Sequence, residues 1–465
     1  MRAPAGRRTG CKKNLMAAFR KEIEQEIEGF LARVWRDQER TGHVDLEALE
    51  LALRSSMHQI GGVLLEKLLN SDEGGYAGTR TKCAQGHLAE FVEYRRKEVL
   101  TVLSRVAVQR AYYYCSVCAG GVIPKDQELD IVGTCFSPGV RRLMGHVGGK
   151  DSFAEGRKDL EELAGIMVKT KSVERVSEAL GGQIECSSQQ ERELALSGKL
   201  VSFPPVPLLY LALDGTGVPV VSRETEGRQG KDPTGKAKTR EAKLGCVFTQ
   251  TKVDEEGYPL RDPESTTYVG AIETAEEFGR RIYAEAVRRG LTRALKVIVL
   301  GDGAPWIWGI AEEHFPGAIQ IVDLYHAREH LATLAKIVYE VGSLRWKQWL
   351  ATRVEELDAG QVEAVALSLR RLRPQDRTVK DQTDKAIDYF QNNRQRMRYA
   401  DFRRQGLFVG SGVIEAGCKT IIGQRLKRSG MHWTVRGANA IIALRCCRMS
   451  GRWEEFWETR SARTS

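Results

Sequence analysis

Two apolar runs in the second half of the chain, Val206 to Leu213 and Leu295 to Leu300, each end at an aspartate set among glycines. The strings are Leu213-Asp214-Gly215-Thr216-Gly217 and Leu300-Gly301-Asp302-Gly303-Ala304. Short apolar runs bounded by glycine read as buried strands. The first is expected to make a tight glycine turn after Asp214 into a returning strand, Val218 to Val221, and a basic loop from Arg223 to Lys243 then leads to a third strand, Leu244 to Thr251. A helix (Ala275 to Arg289), the Leu295–Leu300 strand, a short helix (Pro305 to His314) and a strand (Ile319 to Val322) closing on Asp323 follow.

Three antiparallel strands followed by alternating helix and strand give the order β-β-β-α-β-α-β, expected of an α/β, RNase H-like mixed five-stranded sheet with helices on its faces. In that order the first and fourth strands are neighbours, so Asp214 and Asp302 should face one another. Small neighbours let backbone and a phosphate come close. Two adjacent carboxylates repel unless a cation lies between them, and hard oxygen ligands select Mg²⁺ or Mn²⁺, as a pair of ions suited to phosphodiester chemistry. Taken singly, each aspartate is an ordinary Asp-Gly turn residue; it is the pairing that argues for metal. A third ligand should come from a helix after the last strand. Glu415, in Gly410-Ser411-Gly412-Val413-Ile414-Glu415-Ala416-Gly417, is the best candidate because its neighbours are small and apolar, unlike those of a solvated helix glutamate.

The remaining chain divides by pattern. Residues 1–73 read as a helical N-terminal region, with Ile23, Ile27, Phe30, Leu31 and Val34 on one stripe and Asp45 as N-cap of a helix from Leu46 to Leu69. Residues 79–125 read as a small zinc ribbon. Cys83 and His87 on one side of a β-like stretch, and Cys115 and Cys118 on the other, can close a tetrahedral Zn²⁺ site whose role is structural, since protein fills all four positions. Residues 140–200 read as helical. Within them Ser172 to Gly181 forms a short capped helix ending at glycine, which resembles one arm of a DNA-binding helix-turn-helix and equally a plain helical hairpin. The core spans 204–340 and 405–450, interrupted by a charged helical insertion at 341–404, and 451–465 form a C-terminal tail.

Four strings resemble bacterial insertion-sequence transposases of the Kra type, which are similar in plan to the Mutator-like group of acidic-triad (DDE) transposases. They are Leu213-Asp214-Gly215-Thr216-Gly217-Val218-Pro219, Leu300-Gly301-Asp302-Gly303-Ala304, Asp323-Leu324-Tyr325-His326-Ala327-Arg328-Glu329-His330 and Val409-Gly410-Ser411-Gly412-Val413-Ile414-Glu415. The resemblance covers nearly the whole chain. It implies that Asp214, Asp302 and Glu415 form the metal-binding triad, with a helical insertion before the glutamate. It also implies that Asp323 and His326 match an Asp-x-x-His element with an accessory role near the scissile phosphate; packing is the reading for His330. His87 stands where a cysteine is expected.

Lysine and arginine number 71 against 61 acidic residues, a net +10 that favours a polyanionic partner. Lys419, Arg425, Lys427, Arg428, His432, Trp433 and Arg436 cluster after Glu415, and Lys231, Lys236, Lys238 and Arg240 lie in the glycine-rich loop. Both groups offer phosphate neutralisation, and Trp433 offers base stacking. The expected partner is double-stranded DNA, as terminal inverted repeats and target, bound by a homo-oligomer because two ends must be cut together. With no apolar run of membrane-spanning length and only scattered cysteines, the chain is expected to be cytoplasmic, in a bacterium and at the nucleoid. A structure-selective or RNA·DNA hybrid nuclease needs neither ribbon nor insertion. An inactive zinc-dependent DNA-binding protein would not need all three acids.

Overall fold

The computed structural model describes residues 20–21, 23–25, 27–29, 31–32, 35–36, 45–200, 205–230, 235, 237–372 and 374–462. Contacts divide the chain into two compact units, Met1–Val176 with Trp457–Ser465, and Ser177–Phe456. No helix of the described residues is long and apolar enough to cross a membrane.

In the first unit the helix Leu46–Leu69 begins where the sequence places its cap, the Asp45 carboxylate accepting from the Ala48 amide at 3.1 Å. A four-stranded antiparallel sheet follows: β1 (Arg80–Lys82), β2 (Leu88–Leu100), β3 (Arg105–Cys115) and β4 (Gly120–Val122). The β-like stretch between the two Cys/His pairs is one long hairpin, β2–β3, closed by Thr101 and Ser104. The helix end seals part of the outer edge of β3. Glu66 accepts from the Ala107 amide at 2.8 Å, and Asn70 both donates to the Ala107 carbonyl at 2.7 Å and accepts from the Gln109 amide at 2.8 Å. Side chains thus take the ladder bonds a further strand would make, which protects the edge from mispairing. Helices Pro138–Lys150 and Phe153–Ala164 bury Val140, Met144 and Leu160 in a common core with Leu100, Ile166 and Val173.

The second unit is built on a mixed sheet of seven named strands' core five: β5 (Leu208–Pro219), β6 (Thr239–Gln250), β9 (Thr267–Ala271), β10 (Lys296–Gly301) and β11 (Ile319–Val322). The small hairpin β7 (Lys252–Val253) and β8 (Pro259–Leu260) stands apart. The strand order is β11-β10-β5-β6-β9, with β5–β6 and β6–β9 antiparallel and β10 and β11 parallel to β5. Two sequence expectations change here. Asp214-Gly215-Thr216-Gly217 makes no turn: β5 runs straight through it, with Asp214 opposite Leu244 and Gly217 opposite Glu241. The expected returning strand is the end of β5 and the residues just after it, and the true third strand is β9. Pairing with β6 overrides the turn preference of the glycines, and a Cβ at Gly215 would lie 2.7 Å from the Glu241 carboxylate.

Neighbouring residues of a strand point to opposite faces. Gly245 faces the helix Ala275–Arg288, where a Cβ would meet Ile282 at 2.8 Å, whereas Leu244 faces Gly417. The third change concerns Ser172–Gly181, which is no short helix but the interior of a 27-residue helix, Thr170–Leu196. Gly181 does not end that helix. A Cβ there would stand 2.0 Å from the Ala440 carbonyl oxygen, so the glycine lets the helix lie against the backbone of the helix Val435–Met449. Between β11 and residue 404 the chain is helical: Leu324–Val338, Leu344–Asp358, Val362–Arg370, Arg377–Asn392 and Tyr399–Arg404.

Candidate metal centre and acidic cavity

Cys83 and His87 lie in the turn between β1 and β2, which is closed by the Cys83 amide on the His87 carbonyl at 2.8 Å and by Gly86 at φ 83°. Cys115 ends β3, and the Cys118 amide points at its sulfur, 3.5 Å away. The four ligand atoms lie within 4.8 Å of one another, and among the described residues no other group of three or more His, Cys, Asp or Glu side chains does so. Cys83 Sγ and Cys118 Sγ are 3.7 Å apart, close to the ~3.8 Å edge of a tetrahedron with metal–sulfur bonds of ~2.3 Å. His87 approaches Cys118 through Nδ1 at 3.1 Å. Soft donors in this arrangement suit zinc. Desolvation raises the Cys83 thiol, but hydrogen bonds from Gln85, Cys118, His87 and Cys115 outweigh it and bring it to about 7, while desolvation and the same neighbouring thiols push Cys118 up to about 11. A cation in the centre would bring all three thiols down together.

The acids of the second unit are placed by register. Leu300 of β10 is opposite Ala212 of β5, so two steps on Asp302 falls beside Asp214. Asp214 shares its face with Leu244, hence with Gly417, and Gly417 ends the helix Gly412–Gly417 that carries Glu415. Small residues around Glu415 let that helix settle on the sheet: a Cβ at Gly417 would be 2.7 Å from the Tyr268 ring and 3.2 Å from Leu244. An open cavity of about 440 Å³ results, lined by Asp214, Asp302 and Glu415 with Tyr325, His326 and Glu329 among its other walls. Asp214 and Asp302 are half-buried and Glu415 is exposed. Burial raises the Asp214 pKa, hydrogen bonds from the Cys418 thiol and the Gly215 amide oppose it, and the charge of Asp302 raises it further. Burial and the charge and hydrogen bond of Asp214 in turn push the Cys418 thiol far up, so it stays a donor. Among the described residues no lysine or arginine lines the cavity.

Asp323 does not line it. The residue is fully buried, one carboxylate oxygen capping the helix Leu324–Val338 through the His326 amide at 2.7 Å and the other taking the Ser411 amide. Its own amide donates to the Gly301 carbonyl at 2.8 Å, and Leu324 donates to Val409 at 2.9 Å. Asp323 therefore ties together the end of β10, the helix bearing His326 and the strap leading to Glu415. His326 does reach the cavity. Its ring meets His330 edge-on with centroids 4.9 Å apart, and His330 stacks on Tyr389 at 4.1 Å. Burial, then the charge of His326, lower the His330 pKa, with Asp302 and Glu329 opposing.

The basic candidates separate. Lys419, Lys427, Arg428, His432 and Arg436 are exposed, and Lys427 donates to the Thr216 hydroxyl two residues past Asp214. Arg425 and Trp433 are not surface residues, contrary to the DNA-facing role expected of them. Arg425 is 0% and Trp433 7% exposed, with the guanidinium 5.0 Å over the indole. The Trp433 backbone bridges the end of β5, donating to Pro219 at 3.1 Å and accepting from Val221 at 2.9 Å, so its ring is drawn into the core. Lys238 is exposed, and Arg240 is partly buried, donating to the Glu224 carbonyl at 3.2 Å. Lys231 and Lys236, like Phe30 and Val34 of the N-terminal stripe, lie outside the described residues. Sequence reasoning passed over Cys418, three residues beyond Glu415 and so one helical turn away, and Tyr389, for which no spacing gives a signal.

The model of a family described as an uncharacterised protein family (UPF0236) matches residues 274–460, a span that includes Asp302, Asp323, His326 and Glu415. No curated protein matches the sequence. Among solved structures, the Drosophila P element transposase strand transfer complex is similar over 68% of this chain and 80% of that chain, at 10% identity and a TM-score of 0.21, below what a shared fold requires.

Proposed function

We propose that the chain is a DNA transposase of the acidic-triad kind, with an RNase H-like catalytic core in which Asp214, Asp302 and Glu415 hold divalent cations. One observation carries the reading: three acids from separate elements, far apart in sequence, line one open cavity beside the neighbouring inner strands β5 and β10 of a mixed sheet ordered β11-β10-β5-β6-β9. In that order the first and fourth strands of the core are parallel neighbours, as an RNase H-like sheet requires.

The donor set fits Mg²⁺ or Mn²⁺. It consists of hard carboxylate oxygens, the charge of one aspartate works against ionisation of the other, and no lysine or arginine of the described residues lines the cavity to neutralise them. Two such ions would activate an attacking water or 3′-hydroxyl and stabilise the leaving oxygen of an in-line displacement. At about 440 Å³ the cavity holds several waters' worth of space, at ~30 Å³ each, enough for a phosphate as well. His326 stands where it can contact that phosphate or carry a proton. Asp323 acts from behind by placing His326 and the Glu415 strap. Exposed Lys427, anchored on Thr216, supplies a backbone phosphate contact beside Asp214. The Cys/His ribbon serves as a structural zinc module, and cutting of two transposon ends together calls for a homo-oligomer.

Purified full-length protein incubated with the DNA ends flanking its own gene and Mg²⁺ should yield cut ends and products joined to target DNA. Asp214→Ala and Asp302→Ala should each lose cleavage by more than the ~100-fold seen for changes beyond the metal ligands, while end binding persists. Cleavage surviving in either variant refutes the triad. Cutting without any joined product would make the chain a nuclease on the same core.

A further inference from the structure

The end of β10 raises a question of hydrogen-bond satisfaction. Past Gly301 the strand has no ladder partner, yet the backbone there sets where the Asp302 carboxylate stands. The Gly301 carbonyl is taken by the Asp323 amide at 2.8 Å. The Asp302 carbonyl is taken by the Tyr389 hydroxyl at 2.9 Å, from the helix Arg377–Asn392 deep in the helical insertion. On the side-chain side, the Asp302 carboxylate accepts from the Ala304 amide at 2.9 Å.

We propose that Tyr389 is a positioning residue for Asp302, so that the helical insertion forms part of the metal site's scaffold; this rests on the triad reading above. Three further contacts support it. Gly303 sits at φ 104°, and a Cβ there would strike the Tyr389 ring at 2.6 Å, so the glycine after Asp302 makes room for this tyrosine as well as for a phosphate. The Tyr389 ring also carries His330, stacked at 4.1 Å with planes 20° apart. His330 in turn meets His326, a wall of the same cavity. The hydroxyl fixes the Asp302 peptide, the ring fixes the Gly303 turn, and the stack fixes the height of both relative to His326. Carboxylate ligands need support of this kind from the groups behind them, and loss of such support typically costs 10–100-fold in metal affinity.

The test measures Mn²⁺ binding to the full chain by calorimetry and electron paramagnetic resonance, with thermal unfolding alongside, so that it does not depend on turnover. Wild type is compared with Asp302→Ala, Tyr389→Phe and Tyr389→Leu. Tyr389→Phe keeps the ring and its stack and removes only the hydroxyl, so it should stay folded with only a small fall in unfolding temperature but bind Mn²⁺ about 10-fold more weakly; Tyr389→Leu should be weaker still. Wild-type Mn²⁺ affinity in Tyr389→Phe, with Asp302→Ala defective, overturns the positioning role and leaves the triad standing, and a defect confined to Tyr389→Leu does the same by reducing Tyr389 to packing. Unchanged binding in Asp302→Ala refutes the triad itself, and the role of Tyr389 falls with it.

Discussion

The Cys/His centre and the acidic cavity are both sets of side chains of metal-binding types, but they are assembled in opposite ways. In the first, two short turns on adjacent hairpins bring four ligand atoms within 4.8 Å, the number a tetrahedral site takes. In the second, three acids from a strand interior, a strand end and a helix share a cavity without converging that closely, and one of them is exposed. A closed tetrahedron of soft ligands holds its ion permanently and contributes to folding, whereas an open, one-sided set of oxygens leaves coordination positions for water and substrate. The cost of the open arrangement is visible in Asp214, whose ionisation is opposed by burial and by Asp302. Its support comes from residues that do not line the cavity, chiefly Asp323.

The largest expected effect breaks the closed centre. Metal analysis of protein purified without chelator should find one zinc per chain, and Cys115→Ser should abolish it. Structural zinc contributes ~10–16 kcal/mol in zinc-finger peptides, comparable with the whole ~5–15 kcal/mol stability of a domain, so the β2–β3 hairpin should lose hydrogen-exchange protection. Amides of β5 and β10 should stay protected. Retained zinc, or an unaffected hairpin, would mean the four residues are not a metal centre.

How far each region could be read from sequence follows from where its determinants lie. The Cys/His cluster and the three cavity acids are legible because the chemistry demands particular side chains, and Asp45 is legible because a cap acts within one turn. Asp214-Gly215 looks like a turn because its outcome is decided by β6, a partner outside any local window. Gly181 looks like a helix end for the same reason, its real constraint being the Ala440 backbone. Arg425 and Trp433 carry the composition of a DNA-binding stretch, and only the bridging of Trp433 to the end of β5 shows that this stretch turns inward. Tyr389 was invisible because an insertion's contact with a strand end leaves no periodicity.

An intermediate effect sharpens the contrast between the acids proposed to react and the acid that supports them. Asp323→Ala removes a helix cap, worth ~0.5–2 kcal/mol, and leaves the buried Ser411 amide unpaired, worth a further ~1–3 kcal/mol. The urea midpoint should fall by the equivalent of about 1.5–5 kcal/mol, and cleavage should fall with it. Asp214→Asn, measured alongside, should leave stability within ~1 kcal/mol of wild type or raise it, because it relieves the repulsion from Asp302. Equal losses in the two variants would erase the distinction between a supporting and a reacting carboxylate.

The smallest effect concerns the rim of the open cavity. Lys427 is exposed and held against Thr216, while Trp433, six residues on, is core. If Lys427 meets one phosphate, Lys427→Ala should leave thermal unfolding unchanged and reduce the slope of log K against log salt for end DNA by about 0.9, the share of one released counterion. Trp433→Ala should do the reverse, costing ~3–5 kcal/mol of stability through a core cavity while the folded fraction keeps the wild-type salt slope. A salt slope that responds to Trp433 and ignores Lys427 would place the DNA on the opposite side of this segment, and the path of the strand past Asp214 would have to be redrawn.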